Sequence, residues 1–316
     1  MTPMGERGLR NWCCTVPTMD QPLEEAQRTL LEWLAPDTRA RRVRWSQGET
    51  QVLELGSGPP LLLIHGGLGD AFAWVPILSA LAQERRALAV DLPGHGLADP
   101  FDYSRVNLLD HARSFIGDIL DALELNAVDV VGSSLGGLCS IAFALDAPER
   151  VPRLVVIGMP GGYKRAVPVQ LRLLGLPLIG QPLGRLVMSK PTREGNRKFW
   201  GQVLVAHPEI LDDALLDADV ASQSRNVRSH LSFLHCVLDA GGLKRRLILG
   251  ERWRALETPT VLLWGERDAY GAPEEGEILA RQASNLRLIS IPDAGHLAWL
   301  DHPELVVDEI ESILTA

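Results

Sequence analysis

A serine stands between glycines where a predicted strand turns into a predicted helix. Ser134 lies in the pentapeptide GSSLG at 132–136, which follows the apolar run 128–131 and precedes the small and apolar residues of 137–144. A serine hydroxyl attacks a carbonyl carbon when it is exposed and lies close to a base and to donors for the developing oxyanion. A tight strand-to-helix turn presents a hydroxyl in that way, so Ser134 is a candidate nucleophile.

Other reactive side chains also follow predicted strands. Four further segments do so: HGGLGD at 65–70, DLPGHG at 91–96, GERD at 265–268 and PDAGH at 292–296. In an open parallel sheet the carboxyl ends of the strands share one edge, and ligands bind there. The pattern therefore predicts that one sheet edge collects the candidate residues.

As an ordered set, these segments resemble the α/β-hydrolase fold superfamily, whose members carry a nucleophile, an acid and a histidine in that order. The matching residues are Ser134, Asp268 and His296, and the resemblance covers about residues 45 to 315. It implies an α/β fold with a mostly parallel central sheet, helices on both faces, and a helical cap inserted late in the core. It also implies a serine hydrolase with a Ser-Asp-His triad.

The three residues have complementary roles. Because a serine hydroxyl is scarcely ionised near neutral pH, Ser134 needs a base, and His296 is predicted to be that base. A carboxylate must hold the imidazole in one tautomer and offset its positive charge. Asp268 is our choice, with Glu266 and Asp293 as alternatives.

The oxyanion of the tetrahedral intermediate requires preorganised donors. Leu135 supplies the backbone amide after the nucleophile, and the resemblance places the second amide at Gly67, with Leu68 as the near alternative. Leu68 and Leu297 are also candidate substrate-binding residues. The glycines near His65 do not indicate a phosphate site, because a Walker lysine and a dinucleotide G-x-G-x-x-G are missing.

The predicted reaction is hydrolysis of a carboxylic ester, thioester or lactone of moderate size through a Ser134 acyl-enzyme. A first alternative is carbon-carbon bond hydrolysis of ring-cleavage products. Relatives with that activity carry a tryptophan directly after the catalytic histidine, whereas Leu297 follows here and Trp299 comes two residues later. A second alternative is a non-catalytic ligand receptor or binding module on the same fold.

Composition narrows the partners. The 316 residues carry 40 acidic and 31 basic side chains, for a net charge of −9, and no basic block is interleaved with aromatics. Nucleic acid is therefore not an expected partner. The partner expected from the predicted reaction is a small apolar acyl substrate. No cofactor is expected, and no metal, because the histidines lack metal-ligand spacing. The sequence does not indicate the oligomeric state of the protein.

The predicted compartment is cytoplasmic. The first 20 residues lack the apolar stretch of a secretory signal, and no run reaches the length of a membrane span. The four cysteines form no disulfide framework.

The chain is predicted to divide into a leader with a helix at 1–40, a first core part at 41–160, a helical cap at 161–256 and a second core part at 257–316. Residues 1–20 are expected to be disordered or draped on the surface. Cap helices are predicted at 167–188, 194–206, 209–221 and 227–238. We interpret the leucine-rich stretch 168–180 as cap core rather than as a membrane-contacting surface.

Overall fold

Eight strands form the central sheet of the computed structural model, which describes residues 23–176 and 178–315. Two further strands among the described residues, β7 and β8, lie outside this sheet. In chain order the ten strands are β1 Arg39–Trp45, β2 Gly48–Leu55, β3 Pro60–Ile64, β4 Arg86–Val90, β5 Asp129–Ser133, β6 Leu154–Ile157, β7 Leu238–Asp239, β8 Gly242–Leu243, β9 Thr260–Gly265 and β10 Leu286–Ile291. The sheet order is β1-β2-β4-β3-β5-β6-β9-β10, and β7 pairs with β8 alone. All pairs from β4 to β10 are parallel, while β2 is antiparallel to both neighbours. The predicted mostly parallel sheet is confirmed.

Helices cover both faces of this sheet and fill the long connection between β6 and β9. They are α1 Leu23–Leu34, α2 Val75–Leu81, α3 Leu108–Ala122, α4 Ser134–Asp146, α5 Val169–Leu174, α6 Gly180–Met188, α7 Arg193–Val203, α8 Asp213–Val237, α9 Pro273–Ala280, α10 Ala298–Asp301 and α11 Pro303–Thr315. Among the described residues, no helix has the length and apolar character that crossing a bilayer requires. The predicted leader at 1–20 lies outside the described residues.

The two faces of the sheet bury two separate clusters of apolar side chains. Along β3, Leu62 and Ile64 join one cluster while Leu61 and Leu63 join the other, because successive side chains of a strand point to opposite faces. All four are fully buried. This two-sided burial explains why the central strands are continuously apolar, and it fixes the strand ends that carry the candidate site.

Two predicted cap helices are one helix in the structure. The prediction separated a helix at 209–221 from one at 227–238, yet α8 runs without interruption through 213–237. Asn226 donates a side-chain hydrogen bond to Gly96 O at 2.8 Å, and Arg225 donates to Gly96 O at 2.9 Å. Arg225 and Asn226 thus dock this part of α8 on the loop after β4.

The predicted helix at 167–188 is instead two short helices: α5 ends at Leu174, and α6 begins at Gly180. The interpretation of 168–180 as cap core is correct only in part. Leu171 and Leu174 pack against a buried cluster, whereas α5 has no fully buried residue and Leu178 is 97% exposed. His207 lies in the connection between α7 and α8. The cap also contains a short hairpin in which β7 pairs with β8, each strand having two residues. The prediction did not include this hairpin.

Candidate active site

Ser134 lies at the junction of β5 and α4 with a backbone φ of +52°. Few residues other than glycine adopt a positive φ, and this strain is typical of a nucleophile at a strand-to-helix turn. A side chain at Gly136 would collide with the carbonyl oxygens of Ile64 and His65, which explains the glycine there. Ser134 is partly exposed, whereas the neighbouring Ser133 is fully buried. The turn therefore presents one of its two serines.

The side chains of His296 and Asp268 form a buried pair. His296 Nδ1 and Asp268 Oδ2 are 2.8 Å apart, and the two side chains are 2% and 0% exposed. Asp268 also accepts hydrogen bonds from Met159 N and Tyr270 N, each at 2.8 Å. Because three donors converge on this carboxylate, it can fix the imidazole ring in one orientation.

The other ring nitrogen of His296, Nε2, is buried and has no hydrogen-bond partner among the described residues. A buried polar atom without a partner is uncommon and costs stability. In a triad, this nitrogen is the one that receives the proton of the nucleophile. The geometry thus leaves His296 able to act as a general base.

The two alternative acids lie elsewhere. Glu266 is exposed immediately after β9. Asp293 is 54% exposed and pairs with Arg267 Nη1 at 2.9 Å and with His207 Nε2 at 2.9 Å. Neither carboxylate contacts His296, so the arrangement favours Asp268 as the acid.

Tyr270 stacks on the ring of His296, and the sequence reasoning missed it. The ring centroids are 4.0 Å apart at an interplanar angle of 26°. Burial, followed by the nearby Asp268 carboxylate, raises the pKa of the Tyr270 phenol, so it stays protonated near neutral pH. The only available signal was its position two residues after Asp268.

Asp301 joins the cap to the loop that carries His296. Its carboxylate accepts hydrogen bonds from Gly295 N at 2.8 Å, Ala206 N at 3.0 Å and His207 N at 2.9 Å. In addition, Leu297 N donates to Leu204 O at 2.7 Å. The backbone on both sides of His296 is therefore anchored to the connection between α7 and α8.

The two predicted oxyanion-hole residues are adjacent in space. A Cβ built at Gly67 would lie 2.8 Å from Leu135 Cδ1 and 3.1 Å from Phe233 Cε1 on α8. Leu135 is the second residue of α4, and the first amides of a helix have no intrahelical acceptor. Leu68, the alternative donor, has a φ of +65°. The loop after β3 and the start of α4 therefore lie side by side next to Ser134, and the shared oxyanion site of Gly67 and Leu135 stays a prediction.

His65 and His95 are structural in this geometry. Burial lowers the pKa of His65 to about 3 and that of His95 to about 4, so both are neutral near pH 7. His65 Nε2 accepts a hydrogen bond from Leu92 N at 2.9 Å, which joins the loop after β3 to the loop after β4. These contacts hold the segment that contains Gly67.

One group of side chains has metal-ligand proximity that sequence spacing did not reveal. Potential ligand atoms of His207, Asp293 and His302 lie within 4.8 Å of one another. However, His207 already pairs with Glu209 and Asp293, which raise its pKa, and Arg267 neutralises Asp293. These contacts favour protonated His207 over a metal ligand; the expectation of a metal-free enzyme stays a prediction.

Comparison with known proteins assigns the family. The model of the alpha/beta hydrolase family matches residues 61–309, which is most of the chain. The chain therefore belongs to the alpha/beta hydrolase family and is a hydrolase.

Two curated relatives carry different activities in their names. A 2-hydroxy-6-oxononadienedioate/2-hydroxy-6-oxononatrienedioate hydrolase of Paraburkholderia xenovorans is 30% identical over 282 residues, covering 84% of this chain and 93% of the relative. Carboxylesterase YbfK of Bacillus subtilis is 24% identical over 271 residues, covering 84% of each. The crystal structure of the latter, also named CesB, matches with a TM-score of 0.75 and 22% identity over 92% of this chain and 96% of that one. The structural match supports the fold.

Proposed function

We propose that the protein hydrolyses a carboxylic ester, thioester or lactone through a covalent acyl-enzyme on Ser134. The observation that carries this proposal is the buried Asp268–His296 pair, whose Nε2 is unpartnered among the described residues, together with the strained serine at the start of α4. This combination supplies a base, its orienting acid and an exposed nucleophile.

In the first half-reaction, Ser134 Oγ attacks the carbonyl carbon while its proton passes to His296 Nε2. The carbonyl oxygen becomes an oxyanion that accepts hydrogen bonds from the amides of Leu135 and Gly67. When the tetrahedral intermediate collapses, the bond to the leaving group breaks and His296 gives the proton to that group. Asp268 offsets the positive charge of the imidazolium.

In the second half-reaction, water replaces the leaving group. His296 takes a proton from the water as it attacks the acyl carbon, and the same amides stabilise the second oxyanion. Collapse breaks the bond to Ser134 Oγ, which recovers its proton from His296. The products are a carboxylic acid and an alcohol or thiol, and a lactone yields one hydroxy acid.

The segment 161–256 is proposed to act as a cap that selects the acyl group. In support, Phe233 of α8 lies against Gly67, and Asn226 of the same helix is bonded to the loop after β4. Aromatic and aliphatic side chains beside the oxyanion site favour an apolar acyl group of moderate size, since each buried methylene contributes about 0.8 kcal/mol. Leu68 is partly buried and Leu297 is 8% exposed; their contact with substrate stays a prediction.

Carbon-carbon bond hydrolysis is the second candidate, and the relative at 30% identity favours it. The residue after His296 argues the other way, because Leu297 occupies the place of the expected tryptophan. Trp299 does not substitute for it: its indole stacks on Trp74 at 4.3 Å and donates to Ala73 O at 2.8 Å. The Trp299 side chain is therefore held in the core by these contacts.

Turnover of two substrate series by the purified protein separates these candidates. One series is p-nitrophenyl esters of increasing acyl length, and the other is a vinylogous 1,5-diketone ring-cleavage product with its aryl and alkyl analogues. We expect ester hydrolysis that requires Ser134 and is retained in Ser133→Ala, with much slower cleavage of the diketones. Faster cleavage of the diketones would establish the second candidate, and turnover in Ser134→Ala equal to that of the wild type would refute both.

A further inference from the structure

The cap carries a cluster of exposed apolar side chains on the side formed by α5 and α6. We call this cluster the apolar cap face; its members are Val169, Leu173, Leu178, Ile179, Leu186 and Val187, which are 63%, 44%, 97%, 59%, 75% and 59% exposed. They account for six of the ten exposed large apolar side chains among the described residues. Scattered exposed apolar residues are ordinary, but six of them between residues 169 and 187 of one cap segment indicate an interaction surface.

The backbone of this face is held in a conformation that packing does not explain. Leu178 has a φ of +68°, a region that a leucine rarely adopts, and its side chain is 97% exposed. Strain of this kind is found where a residue has a functional role outside the protein core. Here the strained backbone projects an apolar side chain into solvent directly before α6.

The opposite side of α6 is firmly packed, so the face has a defined orientation. Gly180, Gly184 and Met188 are buried. A Cβ at Gly184 would lie 2.6 Å from Leu231 Cδ2 of α8, which shows how closely the two helices approach. The outer side of α6 therefore cannot turn inward to bury Leu186 and Val187.

The chain segment that forms this face carries charged side chains of a single sign. Residues 161–193 contain six basic and no acidic side chains, in a protein whose net charge is −9. Lys164, Arg165 and Arg193 pair with carboxylates of other segments. Arg172 and Arg185, which flank the exposed leucines, form no ion pair with any described residue. An apolar surface bordered by uncompensated positive charge is typical of segments that lie on anionic membranes.

We propose that the apolar cap face docks on an anionic lipid surface. Leu178 and Ile179 enter the interface between headgroups and acyl chains, and Arg172 and Arg185 contact lipid phosphates. A second copy of the chain is a poorer occupant, because apposing two such faces brings like charges together. The attachment is peripheral, and it is independent of which bond the enzyme cleaves.

Vesicle flotation of the full chain tests the proposal. We expect binding to vesicles of equal parts phosphatidylcholine and phosphatidylglycerol, weak binding to phosphatidylcholine alone, and release at high salt. Leu178→Ser and Arg185→Glu should each weaken binding to the mixed vesicles, the double variant about tenfold or more. Ile278→Ser is the matched control, since Ile278 is 53% exposed on α9, outside the cap segment, and it should bind as the wild type does.

Three results would overturn the proposal. The first is no binding of the wild type to either vesicle, and the second is equal loss in Leu178→Ser and Ile278→Ser. The third is a wild-type dimer in light scattering that Leu178→Ser converts to monomer, which would assign the face to a second copy. Unchanged thermal unfolding of the variants verifies their fold, and both side chains are at the surface.

Discussion

The edge of the central sheet and the outer face of the cap use opposite arrangements of polar and apolar groups. At the sheet edge, Asp268 and His296 are polar side chains withdrawn from water, and converging hydrogen bonds fix their positions. On the cap, Leu178 and Leu186 are apolar side chains left in water. Each arrangement costs stability in the isolated protein, so each points to a role in chemistry or in binding.

The comparison also assigns different roles to the two regions: the sheet edge determines the reactivity of the triad, and the cap determines binding. The triad candidates follow β5, β9 and β10, and buried hydrogen bonds leave Asp268 and His296 little freedom. The cap contacts the core through its helix α8, whose Asn226 and Phe233 contact the loops after β4 and β3. Changes at the sheet edge should therefore alter the rate of bond cleavage, and changes on the cap should alter binding.

The largest effect is expected from Ser134→Ala. Removing the nucleophile abolishes the acyl-enzyme, so kcat should fall many thousandfold, and His296→Ala should do the same. The double variant should be no slower than either single variant, because the two residues act as one proton-transfer unit. Steady-state kinetics measures this, and losses that add in the double variant would show that the residues act separately.

Asp268→Asn should have a smaller, still large, effect. An amide retains the position of the carboxylate but favours the wrong imidazole tautomer and gives no charge to offset the imidazolium. Glu266→Gln and Asp293→Asn are the matched controls, since their carboxylates make no contact with His296 and should leave kcat nearly unchanged. A greater loss in either control than in Asp268→Asn would move the acid role to that residue.

Gly67→Ala should lower kcat about tenfold or more, because a displaced oxyanion donor loses much of its stabilising effect. The added methyl would lie 2.8 Å from Leu135 Cδ1, so the loop must shift. Gly69→Ala is the control within the same loop, since its nearest atom, Gly66 O, would be at the ordinary distance of 3.5 Å. Equal activity of the two variants would remove Gly67 from the oxyanion hole.

The smallest effect concerns stability rather than rate. Burial, and secondarily Asp70, raises the pKa of Asp91 to about 8 and that of Asp219 on α8 to about 7. Burial also raises the pKa of Asp70. A carboxyl whose pKa is raised in the folded state stabilises the fold when protonated, and that stability is lost as pH rises from the unfolded value near 4 through the folded value.

Asp70→Asn should therefore unfold at a higher urea concentration than the wild type at about pH 8, with the difference vanishing below about pH 4. Asparagine retains the hydrogen bond that Asp70 Oδ1 accepts from Phe72 N. Asp37→Asn, an exposed position between α1 and β1, is the control and should show no such pH dependence. A constant difference at all pH values would contradict the assignment of charge repulsion.

Much of the fold and of the candidate site could be predicted from the sequence, because motif residues at strand ends report both the element and its position. Tyr270, Asp301 and Phe233 could not, since each acts through a contact with a residue distant in sequence or with a neighbouring loop. The exposed cap leucines were misinterpreted for a related reason: an apolar sequence alone does not show whether the fold buries the helix or leaves it exposed. The continuous α8 was missed because its polar residues are satisfied by a loop more than 100 residues away in sequence.

Fluorophosphonate labelling followed by peptide mass spectrometry tests the central claim most directly. The reagent phosphonylates a serine that an adjacent base activates, and it requires no knowledge of the substrate. We predict a single labelled peptide modified at Ser134, lost in Ser134→Ala, strongly reduced in His296→Ala and retained in Ser133→Ala. An unlabelled wild-type protein, or a label on any other serine, would contradict the account.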